Sequence, residues 1–80
     1  GERQSMTEQE FDQTMRSFLK RRPFFPFVVE LLNGERIVIP FPEVAFGGGV
    51  AGFRSDEEGL VEFSYKKVSS IHVLEYEAAP

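Results

Sequence analysis

The chain has no cysteine and no tryptophan, and its one histidine is His72. Without thiols it can form neither disulfide staples nor thiolate metal sites, so apolar packing or self-association must hold these 80 residues together. The absence also fits a reducing compartment. No apolar run approaches the ~20 residues that span a bilayer, and no signal-peptide core is present, so the expected location is cytoplasmic, away from any membrane. Cations are few: Lys and Arg number 9 against 13 Asp and Glu, a net charge of −4. With a pI of 4.9, this balance argues against a general phosphate-binding surface. The charge is unevenly placed. Residues 1–22 carry five cations and four anions, and residues 23–80 carry four cations and nine anions. A polyanion site would have to be local, built against the overall field.

What is present reads as one small domain. Residues 1–6 look like a polar leader, and residues 7–80 a single folding unit. Thr7 and Glu10 form a T-x-x-E capping box, with Met6 and Phe11 placed as a hydrophobic staple. Phe11, Met15, Phe18 and Leu19 recur at i, i+4, i+7 and i+8, one apolar stripe. Glu8, Glu10 and Asp12 complement the positive start of this helix, and Lys20, Arg21 and Arg22 its negative end. Pro23 disfavours helical geometry at Arg22, so the helix is predicted over about residues 8–21.

From Phe27 the period becomes two. Phe27, Val29 and Leu31 share a face, and Asn33-Gly34 signals a hairpin into the strand "ERIVI". Pro40 and Pro42 forbid regular pairing beyond it, so the strand must bend, bulge or reach an edge. "FGGGVAGF" reads as a turn entering a third strand, with Gly52 marking a sharp bend or a close backbone approach. "LVEFSYK" is a fourth strand, carrying Val61, Phe63 and Tyr65 on one face, and "IHVLEYE" is a fifth. The predicted fold is mostly β, of the α+β class: an N-terminal helix followed by a bent, five-stranded antiparallel open barrel over about residues 27–77.

This layout resembles the Sm-like fold, specifically the Hfq RNA chaperones. Leu31-Leu32-Asn33-Gly34 matches that family's L-x-N-G turn, and Tyr65-Lys66-Lys67 partly matches its Y-K-H segment. Two departures stand out. Lys67 replaces the histidine, and the stretch before Tyr65 is longer and carries Pro40, Pro42 and three glycines. The resemblance implies rings joined by the fourth and fifth strands, and RNA binding at the Tyr65 segment. Arg22 to Phe27, Leu31 to Gly34 and Phe41-Pro42-Glu43 are also similar to a group of short uncharacterised bacterial proteins with an R-P-F-x-P-F pattern, which brings no assigned activity.

Chemistry-bearing residues are sparse. His72 lies in an apolar strand pattern with no Ser or Cys nucleophile motif around it, so no catalytic residue is assigned. Asp56-Glu57-Glu58 are consecutive acids in a turn and cannot converge on one ion, so no metal site or cofactor is expected. Gly47-Gly48-Gly49 lack the Lys-Ser/Thr and following helix of a phosphate loop and read as a tight hairpin. "PFFP" matches a minimal P-x-x-P core, but its phenylalanines are better packed under the helix. Tyr65, Lys66 and Lys67 are the candidate RNA-binding group, a ring that can stack on a base beside two ammonium groups. The competing reading is a strand-end tyrosine packed on the barrel beside solvated lysines. Phe63, Tyr65, Ile71 and Val73 are the candidate interface of a homo-oligomeric ring, formed by edge pairing. The expected function is a non-catalytic binding or scaffold module with weak RNA binding at most. The alternative is a protein-interaction module, using strand edges or the Phe24–Phe27 region.

Overall fold

The computed structural model describes residues 6–74. Helix α1 (Glu8–Leu19) starts as its capping signals require: the Glu10 N–H donates to Thr7 Oγ1 at 3.1 Å, and the Thr7 N–H donates to Glu10 Oε1 at 2.9 Å. Met6, assigned to the leader by sequence, packs partly buried against the core. The helix ends two residues short of the expected Arg21. Its apolar stripe ends at Leu19, and the exposed Lys20, Arg21 and Arg22 bury nothing that would extend it. Arg22 Nη1 instead donates to the Leu19 and Arg21 carbonyls, and the Arg21 guanidinium lies over the Phe18 ring. Arg21 and Arg22 are therefore accounted for by the helix end and its flank.

Strands β1 (Phe27–Leu31), β2 (Arg36–Ile39), β3 (Ala45–Gly47), β4 (Val50–Ser55), β5 (Gly59–Ser64) and β6 (Val68–Val73) follow, with a 3₁₀ turn at Tyr65–Lys67 between the last two. There are six described strands, not the five expected. The addition is β3, which pairs with β4 as Ala45↔Gly52, Phe46↔Ala51 and Gly47↔Val50. Three residues ending in glycine carry no alternation that sequence could reveal. Gly48 and Gly49, at φ 61° and 84°, turn the chain between them.

The strands form two antiparallel three-stranded sheets, ordered β2-β1-β6 and β3-β4-β5. Among the described residues the strands form two ladders, and no strand runs through both sheets. Pro40 and Pro42 lie where one long bent strand would have to carry hydrogen bonds from β2 into β3, and neither has an N–H to give. The chain bends there, with the Val44 N–H donating to the Pro42 carbonyl at 2.8 Å. Gly52 does mark a close approach: a Cβ there would lie 3.1 Å from Glu62 Cγ and 3.2 Å from the Val61 carbonyl oxygen.

The core gathers Phe11 and Met15 from α1, Phe27 and Val29 from β1, and Ile39, Phe53 and Phe63 from the other strands. Full burial of each such side chain contributes about 1.5–3 kcal/mol. The "PFFPF" segment divides. Phe27 is fully buried and Phe24 packs edge-on against it at 6.1 Å, whereas Phe25 is half exposed. No helix among the described residues is long and apolar enough to cross a membrane.

Candidate functional site

Tyr65 begins the 3₁₀ turn, and the turn is held on two sides. The Tyr65 N–H donates to the Gly49 carbonyl at 2.7 Å, and the Leu32 N–H donates to the Lys67 carbonyl at 2.8 Å. Ser64 caps the turn by accepting from the Lys66 N–H. The two segments that carry the Hfq resemblance, the Leu31–Gly34 turn and Tyr65–Lys67, are thus neighbours in space though far apart in sequence. Lys66 and Lys67 are exposed; Tyr65 is half-buried, its ring edge resting on Gly49 close to Glu8 of α1. One edge of the ring is used in packing, as the competing reading requires.

The four candidate interface residues do not act alike. Phe63 is buried and meets Phe11 edge-on at 5.9 Å, so its side chain serves the core of its own chain. Ile71 and Val73 lie opposite Val29 and Phe27, on the half-buried inner side of β6. Their contribution lies in the backbone. The Leu74 N–H donates to the Pro26 carbonyl, which makes Phe27↔Val73 a non-hydrogen-bonded pair of the antiparallel ladder. Alternation makes Val29↔Ile71 another. The N–H and C=O groups of Ile71 and Val73 therefore point away from β1, out of the sheet. Both β5 and β6 are outermost strands of their sheets among the described residues.

His72 is exposed on the outer face of its sheet, with Nε2 3.9 Å from Glu30 Oε1. Arg36 Nε lies 3.4 Å from the other Glu30 oxygen, and Ser70 Oγ donates to Glu30 Oε1 at 3.3 Å. This is a solvated surface cluster of small energetic weight. Among the described residues no three His, Asp or Glu side chains converge as metal ligands.

Sequence reasoning missed a groove of about 510 Å³ between β2 and the β4–β5 turn, walled by Ile37, Phe41, Phe53 and Val61. Each of these residues fits a core position by pattern alone. Only the separation of the two sheets leaves them beside an opening. Comparison of the chain with protein-family models, curated proteins and solved structures finds no match.

Proposed function

We propose that this domain is a non-catalytic scaffold module of Sm-like type that assembles with copies of itself through β5 and β6. The observation that carries this reading is that both strands are sheet edges among the described residues, and that β6 turns the amide groups of Ile71 and Val73 outward. An unpaired edge is a template for another strand. Pairing β5 of one copy with β6 of the next is head-to-tail, and it closes into a ring where the rotation allows. One helix ahead of two antiparallel sheets supports the same reading.

Light scattering after size exclusion tests it. The wild type is expected to be oligomeric at tens of micromolar, and Val73→Pro to be a folded monomer. The proline removes an outward-facing donor and leaves the β1–β6 ladder its own bonds. A strictly monomeric wild type would overturn the assembly.

A second reading, RNA binding, rests on the exposed Lys66 and Lys67 beside Tyr65. The net charge of −4 limits it to weak, salt-sensitive contact.

A further inference from the structure

The groove beside β2 is bounded by a strand edge. Arg36, Ile37 and Val38 all line it. Successive residues of a strand point to opposite faces, so three in a row can border one opening only along the strand's edge. The hydrogen-bond phase identifies the groups on offer. The Leu31 N–H donates to the Glu35 carbonyl, which makes Glu30↔Arg36 a non-hydrogen-bonded pair and, by alternation, Val28↔Val38 another. The N–H and C=O of Arg36 and of Val38 therefore face away from β1, and no described strand pairs with them. Pro40, next in phase, has no donor and ends the edge.

The walls say what would fit. Phe41 and Phe53 meet edge-on at 5.7 Å and, with Ile37 and Val61, give the groove an apolar floor. Opposite β2, the turn Asp56-Glu57-Glu58 is exposed and sets three carboxylates on the rim. Glu57 and Glu58 give their N–H groups to Ser55 Oγ, so the turn is held by the Ser55 side chain. Among the described residues the one cation lining the groove, Arg36, is already beside Glu30.

We propose that this groove is a strand-addition site for a short extended segment of a partner protein in which cationic and apolar side chains alternate. Main-chain bonds to Arg36 and Val38 supply the docking. Period-two alternation sends apolar side chains to the Phe41–Phe53 floor and brings lysine or arginine to the acidic rim. Val61 of β5 lines the groove, but the strand edge on offer is that of β2, not the β5 and β6 edges through which copies would assemble.

The experiment uses the full chain and two labelled hexapeptides, Lys-Val-Arg-Phe-Lys-Val and its charge-reversed counterpart Glu-Val-Glu-Phe-Glu-Val, read by fluorescence anisotropy and amide NMR shifts. The cationic peptide is expected to bind at least about tenfold more tightly at low salt, where exposed charges are least screened. It should shift the Arg36 and Val38 amides. Val38→Pro removes an outward donor and blocks the edge, and is expected to weaken binding about tenfold or more. Glu57→Lys with Glu58→Lys should erase the preference between the peptides. Equal binding of both peptides, no shift at Arg36 and Val38, or binding unchanged in Val38→Pro would each overturn the proposal. So would binding of neither peptide combined with loss of self-association in Val38→Pro, which would make the groove a contact between copies. If Val38→Pro unfolds, the rim variant and the amide shifts decide. Failure of this site leaves the light-scattering behaviour of Val73→Pro untouched, so the two proposals fail separately.

Discussion

The aromatic ring of Tyr65 occupies the space that a side chain on Gly49 would need. A Cβ at Gly49 would lie 2.5 Å from Tyr65 Cδ1, and Gly49 itself sits at φ 84°. The same glycine donates its N–H to Asp12 Oδ1 at 2.9 Å and accepts from the Tyr65 N–H at 2.7 Å. Helix, β3–β4 turn and 3₁₀ turn therefore meet at one residue that tolerates no substituent.

Gly49→Ala is expected to destabilise the domain by about 2–3 kcal/mol, combining left-handed strain with the clash. In a Tyr65→Ala background the clash with the ring disappears and only the contact with the flexible Glu8 side chain, 3.0 Å from that Cβ, is left, so the cost of the alanine should fall to about 1 kcal/mol, chiefly the strain. Urea denaturation of the four proteins measures both. Equal costs in the two backgrounds would show that the ring and the glycine are uncoupled.

Thr7→Ala is expected to cost about 1 kcal/mol, because it leaves the Glu10 N–H without its cap. A difference below about 0.2 kcal/mol by the same measurement would mean that the capping box does not set where the helix starts.

The three phenylalanines of "PFFPF" should separate by burial. Phe27→Ala is expected to cost about 3–5 kcal/mol, as core phenylalanines do. Phe25→Ala should stay within about 0.5 kcal/mol, as surface substitutions do. Phe24→Ala should fall between them. If Phe25→Ala proved as costly as Phe27→Ala, the exposed ring would have to be buried in an assembly of copies.

Short U-rich or A-rich RNA is expected to bind only at low salt. Lys66→Ala and Lys67→Ala should each flatten the slope of log affinity against log salt by about 0.7 if each lysine neutralises one phosphate. Slopes unchanged in both variants, or no binding at low salt, would remove the RNA reading.

The local features of this fold were legible because their causes lie within a few residues of one another. Thr7 and Glu10 cap each other across three positions. The Glu35 N–H donates to Asn33 Oδ1 and Gly34 takes φ 93°, so the hairpin follows from its own turn. Pro40 and Pro42 have no N–H to give a ladder, whatever lies beside them. Pairing is a different matter. Whether Ala45–Gly47 becomes a strand depends on β4 lying beside it, and nothing in three small or aromatic residues announces that.

By itself, the sequence determined the helix, its cap, the first hairpin, the apolar faces, and the exclusion of disulfide and thiolate chemistry. Each of these follows from propensity, turn chemistry or composition acting over short range. Tertiary structure alone decided that the strands divide into two sheets, that Phe63 faces Phe11, that Tyr65 rests on Gly49, and that β2, β5 and β6 each have a side with no described strand beside it. A strand's pattern says which side chains turn inward. It does not say which neighbour lies beside the strand, because backbone N–H and C=O groups are the same in every non-proline residue. The open edges of β2 and β6 were therefore invisible until register and hydrogen-bond phase were in place, and the two binding surfaces proposed for this protein depend on them.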